Sequence, residues 1–227
     1  MDMKVKNKAL ILFDLDGTLV DSVPDLAAAV NDMSKRLGRQ TFDEETIRCW
    51  VGNGAQRLVE RALSGSSEVD PDLDERLLKN ASDYFFAYYE DHLCEYTRAY
   101  AKVPETVRAL KEKGYLLAVV TNKPFAFAEP ILEEMELAEN FSLILGGDTL
   151  EKKKPDPLPL VYACKKLDIP IADTVMVGDS KNDIQAANAC GMDVIAVTYG
   201  YNYGEDIGIY HPDITINSFA ELLETIL

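Results

Sequence analysis

Short apolar runs alternate with amphipathic stretches along most of the chain. Five runs rich in aliphatic and β-branched residues each stop at a small or polar residue, which is typical of buried strands in a parallel sheet. These predicted strands cover residues 9–13, 115–120, 141–145, 174–177 and 194–197. The stretches between them predict helices over residues 104–113, 125–137, 157–167 and 182–190. The alternation predicts an α/β fold with a doubly wound, mainly parallel, Rossmann-like sheet.

One region interrupts this alternation. Between residues 23 and 98 the apolar positions follow only a helical period. The predicted helices lie within residues 23–38, 43–50, 55–64 and 71–97. Aromatic residues over 84–89 recur at helical spacing, which favours internal packing over a ligand site. We therefore predict an α/β core from residues 1–20 and 98–227, with an all-α helical insert, residues 21–97, after the first strand.

The composition limits what the chain can bind. With 227 residues, 47% hydrophobic and 27% charged, it is long enough for one large core or a core plus a smaller domain. No window reaches the roughly 18 apolar residues of a membrane span, and the N-terminal residues lack a signal-peptide pattern, which predicts a cytoplasmic protein. A net charge of −16 disfavours nucleic acid and anionic membranes as partners. Any anionic substrate must therefore be held by locally placed cations.

Two aspartates separated by one leucine follow the first predicted strand. In an extended backbone residues i and i+2 point to the same side, so Asp14 and Asp16 are expected to face one crevice at the strand's end. The adjacent Thr18 offers a hydroxyl for hydrogen bonding. Asp179 and Asp183 come just after the fourth predicted strand. Carboxylates that converge from two strand ends form a hard-oxygen site suited to Mg²⁺.

Cationic and hydrogen-bonding residues follow other predicted strands. Thr121, Asn122 and Lys123 come after the second strand, and lysines occupy positions 152–154. A hydroxyl, an amide and a lysine that face a carboxylate-bound metal describe a phosphoryl-binding pocket, because cations neutralise the phosphate and donors align its oxygens. Taken singly, each pattern has a plainer explanation as a turn, a helix cap or a solvated charged run. Their joint occurrence at the ends of predicted parallel strands favours one site.

Four segments carry most of these polar residues. They read FDLDGTLVDS at 13–22, TNK at 121–123, KKPDP at 153–157 and VGDSKNDIQAANACGM at 177–192. Together they resemble the signature motifs of the haloacid dehalogenase-like hydrolases, and the helical insert resembles the cap of that superfamily's phosphatases. Two further segments, WVGNGAQRLVERAL at 50–63 and TYGYNYGEDIG at 198–208, are similar to the bacterial phosphoglycolate phosphatase group.

The resemblance implies a role for each matching residue. Asp14 would be the nucleophile that attacks phosphorus and forms an aspartyl-phosphate. Asp16 would be the acid that protonates the leaving group and then the base that activates water. Thr121 and Lys154 would hold the phosphoryl oxygens, with Asn122 beside them.

The same resemblance implies a Mg²⁺ cofactor. The cation would be held by the Asp14 carboxylate, the Asp16 main-chain carbonyl and Asp179, while Asp183 would act mainly through water. The cation and Lys154 would together offset the repulsion between an anionic nucleophile and an anionic phosphate.

The helical insert would supply substrate specificity. Gly52, Asn53 and Gly54 resemble a loop that closes over the substrate, and Arg57 is a candidate to meet a substrate carboxylate. An equally plain interpretation is that the two glycines link helices and that Arg57 is a surface residue.

The activity implied is hydrolysis of a small phosphorylated metabolite, 2-phosphoglycolate, by a monomer or homodimer. A phosphatase for another small phosphoester or pyrophosphate, a sugar-phosphate mutase and a non-catalytic phosphate sensor stay open as alternatives. Contacts between the insert and the substrate would determine which of these enzymatic activities the protein has. Because it must open for exchange and close to exclude water, hinges are expected near residues 21–24 and 97–103.

Overall fold

The computed structural model describes residues 5–226, so the ends of the predicted core, residues 1–4 and Leu227, lie outside the described residues. The strands are β1 (Leu10–Phe13), β2 (Val20–Asp21), β3 (Arg98–Ala99), β4 (Leu116–Val120), β5 (Leu143–Leu145), β6 (Thr174–Gly178), β7 (Asp193–Val197) and β8 (Ile214–Ile216). Six of them form one sheet in the order β5-β4-β1-β6-β7-β8. All neighbouring strands in this sheet are parallel, which confirms the predicted α/β fold.

Helices pack on the sheet and form the region inserted after its first strand. They are α1 (Val23–Arg36), α2 (Glu44–Arg48), α3 (Ala55–Ser64), α4 (Glu75–Asp91), α5 (Val103–Glu112), α6 (Phe125–Glu134), α7 (Leu158–Leu167), α8 (Lys181–Cys190) and α9 (Leu222–Thr225). Within residues 5–226, no helix combines the length and the apolar character needed to cross a membrane.

The central strand β1 shows why the strands of this sheet are uninterrupted apolar runs in the sequence. Its side chains alternate between two hydrophobic clusters, with Ile11 and Phe13 in one and Leu10 and Leu12 in the other. All four side chains are fully buried, because helices cover both faces of the sheet. Burial of each such side chain stabilises the fold by about 1.5–3 kcal/mol.

The helical insert has a hydrophobic cluster of its own. Met33 of α1, Phe85 and Tyr89 of α4, and Trp50 between α2 and α3 are buried in it. Tyr201, from the segment after β7, joins them. Of the aromatic residues of α4, Phe85 and Tyr89 are buried in this cluster, whereas Tyr84 is exposed. The chain leaves and re-enters the sheet region through β2 and β3, which pair antiparallel. These strands lie where hinges are predicted.

Two sequence predictions about these elements were wrong. The helix predicted over 71–97 spans only Glu75–Asp91. The chain turns after it, with Cys94 at φ +68°, and the main-chain N–H groups of Tyr96 and Thr97 donate to the Asp25 carboxylate at 2.8–3.2 Å instead of to helix carbonyls. The last strand, β8, was missed. It is as short as β5, with three residues, Ile214–Ile216, but its middle residue Thr215 is polar and exposed, so it lacks the continuous apolar run by which β5 was predicted.

Candidate active site

Three buried aspartates meet at the carboxyl end of the sheet. Asp14 directly follows β1 and Asp179 directly follows β6, and these neighbouring strands bring the two carboxylates together. Asp183 joins them from the first turn of α8. One carboxylate oxygen of each residue lies within 4.8 Å of the others. The structure thus assembles the carboxylates that the sequence placed at two strand ends.

Asp179 is held in a tightly fitting cradle. Its Oδ1 accepts a hydrogen bond from the Thr18 hydroxyl at 2.9 Å, and its Oδ2 accepts one from the Tyr201 main-chain N–H at 2.7 Å. A Cβ atom on Gly17 would lie 2.2 Å from Asp179 Oδ2, and one on Gly200 would lie 2.1 Å from Asp179 Cβ. Glycine at both positions therefore allows the carboxylate to sit where it does. Thr18, a predicted substrate-binding residue, contacts this carboxylate.

The charges in the cluster fit a bound cation. Burial raises the pKa of Asp14 to about 7, although the Lys154 ammonium opposes this shift. Burial, together with the nearby carboxylates Asp14 and Asp183, raises the pKa of Asp179 to about 8. The ionised forms are therefore unfavourable without further positive charge. Converging oxygen ligands that gain from a cation are what Mg²⁺ requires of a protein.

Lys154 is buried among the carboxylates. Its Nζ lies 3.1 Å from Asp14 Oδ2 and 2.7 Å from Asp183 Oδ1, and it donates to the Val120 carbonyl at 2.6 Å. Burial alone would lower the pKa of Lys154, but the charges of Asp14 and Asp183 outweigh it, so the pKa is raised. Lys154 therefore stays a cation next to the predicted nucleophile.

Asp16 points to a different set of partners. Its Oδ1 accepts from the Ser22 hydroxyl at 2.5 Å, and both of its carboxylate oxygens accept from Lys123 Nζ, at 3.1 and 3.2 Å. Ser22 is the residue between β2 and α1, at the start of the helical insert. The predicted acid and base is thereby held between the core and the insert.

The loop of residues 52–54, here called the Gly52 loop, is hydrogen bonded to the core. The Gly52 carbonyl accepts from the Asn122 amide at 3.0 Å and from the Asn182 amide at 3.1 Å. The Asn53 carbonyl accepts from Lys153 Nζ at 2.7 Å. Because main-chain carbonyls receive all three bonds, the loop's backbone position rather than its side chains sets these contacts.

The three donors are sequence neighbours of predicted site residues. They adjoin Thr121, Lys154 and Asp183. The loop also needs glycine at its first position, because Gly52 has φ +124° and a Cβ there would lie 2.6 Å from the Tyr203 hydroxyl. The insert is therefore seated on the same core loops that carry the predicted chemistry.

A small cavity lies between the insert and the core. Its volume is about 30 Å³, which is room for only a few water molecules, so a phosphorylated substrate enters only when the insert moves away from the core. Its polar lining residues are Asp14, Asp16, Thr121, Asn122, Lys123 and Tyr89. Leu26, Leu58 and Phe127 form apolar walls, and Gly52 and Gly54 also border it. The cavity therefore joins the predicted nucleophile to an apolar surface.

Some predicted site residues are not part of this cavity. The Arg57 guanidinium pairs with Glu60 at 2.9 Å and its side chain is 48% exposed, so it faces solvent. Asn53 contributes its carbonyl to Lys153 and does not line the cavity. These positions agree with the plainer interpretation of Arg57 as a surface residue.

Sequence reasoning missed several residues of this region. Asn182 stands inside the VGDSKND segment but was not singled out, and Tyr201 and Tyr203 stand in the TYGYNYGEDIG segment. Tyr89 had no signal of its own, since it belonged to a run of aromatic residues. Its place beside Lys123 depends on how α4 packs over the sheet.

Comparison with known proteins places the chain in a family. A family model described as haloacid dehalogenase-like hydrolase matches residues 11–197. A phosphoglycolate phosphatase from Colwellia psychrerythraea is 52% identical over 221 residues, which cover 97% of this chain and 98% of that protein. A phosphoglycolate phosphatase from Psychrobacter arcticus is 46% identical over 222 residues, which cover 97% of this chain and 96% of that protein.

Solved structures agree with these matches. A predicted phosphoglycolate phosphatase from Haemophilus somnus 129PT has a TM-score of 0.91 at 42% identity, covering 96% of this chain and 97% of that one. CbbY from Rhodobacter sphaeroides, in complex with phosphate, has a TM-score of 0.78 at 26% identity, covering 95% of this chain and 96% of that one. The match over most of the chain and the four signature-like segments lead to one conclusion: the chain belongs to the haloacid dehalogenase-like hydrolase family.

Proposed function

We propose that the protein is a Mg²⁺-dependent phosphatase that hydrolyses 2-phosphoglycolate to glycolate and phosphate. The observation that carries this proposal is the buried cluster of Asp14, Asp179 and Asp183 around Lys154. Its member Asp14 also lines the cavity between the insert and the core. The chain matches proteins named phosphoglycolate phosphatase over nearly its full length, and these relatives support the choice of substrate.

The proposed reaction has two steps. The Asp14 carboxylate attacks phosphorus, an oxygen–phosphorus bond forms, and the bond from phosphorus to the glycolate oxygen breaks while Asp16 gives that oxygen a proton. Asp16 then takes a proton from water, whose oxygen attacks the aspartyl-phosphate and releases phosphate and the Asp14 carboxylate. Thr121 and Lys154 orient the phosphoryl oxygens, and the Lys154 charge reduces their repulsion from Asp14.

The metal would be held by the chain's own oxygen atoms. The Asp14 and Asp179 carboxylates and the Asp16 main-chain carbonyl are the proposed ligands, and Asp183 would act mainly through water. When bound, Mg²⁺ supplies positive charge next to the phosphoryl group. The raised pKa values of Asp14 and Asp179 support this assignment, since a cation favours their ionised forms.

Closure of the helical insert would exclude water from the reaction. The Gly52 loop lies over the site, and its contacts to Asn122, Asn182 and Lys153 tie it to three core loops. A substrate with more carbon atoms, such as a sugar phosphate, would have to displace this loop. The close contacts between this loop and the core therefore favour a small phosphoester.

A panel of phosphoesters tests the proposal. We expect 2-phosphoglycolate to be turned over with kcat/KM at least about 10-fold above glycerol phosphate, glucose 6-phosphate and pyrophosphate. Activity should disappear with EDTA and return with Mg²⁺. Higher kcat/KM for pyrophosphate or a sugar phosphate would contradict the substrate assignment. Binding of phosphate without turnover of any ester would instead indicate a sensor.

A further inference from the structure

Lys123 is a buried ammonium at the edge of the small cavity. Its side chain is only 3% exposed, and Nζ donates to both oxygens of Asp16. Burial opposes its charge, but the charge of Asp16 outweighs burial and raises the pKa of Lys123. An ammonium has three N–H donors, so the contact with Asp16 leaves a donor for a further acceptor.

Tyr89 presents a second donor beside Lys123. The Lys123 ammonium lies 5.0 Å from the centre of the Tyr89 ring, and both residues line the cavity. The Tyr89 hydroxyl is buried beside the Lys123 ammonium, which can donate to its oxygen, but no acceptor for the hydroxyl proton is found among the described residues. Burial raises the pKa of Tyr89 to about 12, so the hydroxyl keeps its proton. A buried O–H group without an acceptor is unfavourable unless a ligand supplies one.

Lys123 is also distinguished from the other cations near the site. Within residues 5–226 it is the only lysine or arginine that lines the cavity. Arg57 pairs with Glu60 on the surface, and Lys153 donates to the Asn53 carbonyl. An anionic group that enters the cavity beyond the phosphoryl end therefore meets Lys123.

We propose that Lys123 and Tyr89 together recognise the carboxylate of the substrate. This inference rests on the proposed function and names the residues that select 2-phosphoglycolate. The phosphoryl group lies against Asp14 and Thr121, and the carboxylate accepts hydrogen bonds from Lys123 Nζ and the Tyr89 hydroxyl. The residues proposed to meet the two anionic groups line the same cavity, so one small ligand can contact both sets. Tyr89 lies on α4 and Lys123 follows β4, so the carboxylate also bridges the insert and the core.

Two substrates that differ only at the carboxylate test this assignment. In phosphoglycolamide, an uncharged amide of similar size replaces the carboxylate of 2-phosphoglycolate. For the wild-type enzyme we expect kcat/KM to favour the carboxylate by about 10- to 100-fold, as for a hydrogen bond to a charged group. In Lys123→Met this ratio should fall to within about 3-fold of unity, while Lys123→Arg should retain a clear preference.

The ratio within one variant separates recognition from catalysis. Lys123 also contacts Asp16, so its loss can slow both substrates, but an equal slowing cancels in the ratio. Tyr89→Phe should lower the ratio about 3- to 10-fold. Tyr88→Phe, one position along the same helix and outside the cavity, and Arg57→Ala, on the surface, are matched controls that should leave it unchanged.

The preference for a carboxylate can also be measured as binding affinity, which does not require the variant to be active. Titration calorimetry in the presence of Mg²⁺ would compare 3-phosphonopropionate with its carboxamide, neither of which can be hydrolysed. The wild type should bind the carboxylate more tightly, and Lys123→Met should bind both equally. If Lys123→Met keeps the wild-type preference in binding or turnover, this inference is wrong while the phosphatase assignment stands. If the wild type does not hydrolyse 2-phosphoglycolate, the proposed function fails, and this inference fails with it.

Discussion

The side-chain amide of Asn182 donates a hydrogen bond to the main-chain carbonyl of Gly52 at 3.1 Å. The bond joins the first turn of α8, next to the candidate metal-binding residue Asp183, to the loop that covers the cavity. The same amide donates to the Tyr203 hydroxyl at 2.7 Å, which fixes its orientation. The position of the helical insert is thereby coupled to the helical turn that carries Asp183, a predicted site residue.

Loss of this contact should loosen the insert without unfolding the protein. In Asn182→Ala we expect kcat/KM to fall about 10-fold, because a neutral hydrogen bond contributes about 0.5–1.5 kcal/mol. Main-chain amides of residues 52–55 should exchange with solvent faster than in the wild type. Asn188→Ala, on the exposed side of the same helix, is the matched control and should change neither. Unchanged exchange in Asn182→Ala would contradict the coupling.

A methyl group on Gly17 should disrupt the cradle around Asp179. Gly17 has φ +85° and its Cβ would lie 2.2 Å from Asp179 Oδ2, whereas Gly38 has φ +65° and no atom within 4 Å of its Cβ. Gly38→Ala should therefore cost only the backbone strain, about 1–2 kcal/mol of unfolding free energy. Gly17→Ala should cost about 2–5 kcal/mol and weaken Mg²⁺ binding at least about 10-fold.

Denaturant unfolding and Mg²⁺ titration calorimetry measure the two effects separately. Equal destabilisation of both variants would show that the clash with Asp179 is relieved by a small shift. Normal Mg²⁺ affinity in Gly17→Ala would contradict the role of the cradle in holding the carboxylate for a cation.

The sequence predicted the part of the site that strand ends determine. Asp14 and Asp179 could be placed together because neighbouring parallel strands end at one edge of a sheet, whatever the detailed packing. Strands such as β1 could also be predicted, because a strand that is buried on both faces of the sheet has an uninterrupted apolar sequence.

Contacts between the insert and the core could not be predicted in this way. The approach of Tyr89 to Lys123 depends on how α4 sits over the sheet, and no local pattern encodes that arrangement. The side-chain direction of Arg57 likewise could not be predicted, since its position next to the Gly52 loop left both a substrate contact and a surface location open. The turn of α3 that carries it directs the guanidinium to Glu60 on the surface.

The effect of Mg²⁺ on stability should depend on pH. The pKa values of Asp14 and Asp179 are raised to about 7 and about 8 from an ordinary 3.8. A raised carboxyl pKa stabilises the folded chain below the ordinary value, and that contribution is lost as the pH rises through the folded value. Without divalent cations, the free energy of unfolding should therefore fall progressively as the pH rises from about 4 to about 8.

Mg²⁺ binds the ionised carboxylates, so its stabilising effect should grow over the same range. The increase in Tm on adding saturating Mg²⁺ should be larger at pH 8.5 than at pH 6, as measured by scanning calorimetry. Asp179→Asn removes one proposed ligand and should largely abolish the increase. An increase of equal size at both pH values would argue that the cation binds elsewhere.

The Asp14→Asn and Asp16→Asn variants should lose activity at different steps of the proposed reaction. Asp14→Asn removes the proposed nucleophile, so neither turnover nor an acyl-phosphate is expected. Asp16→Asn keeps the nucleophile but cannot protonate a leaving group or activate water. With p-nitrophenyl phosphate, whose leaving group needs little protonation, it should still form the aspartyl-phosphate and hydrolyse it slowly.

Mass spectrometry after rapid quench should find phosphate on Asp14 in Asp16→Asn and none in Asp14→Asn. Phosphate on another residue, or equal residual turnover in both variants, would overturn the proposed division of roles.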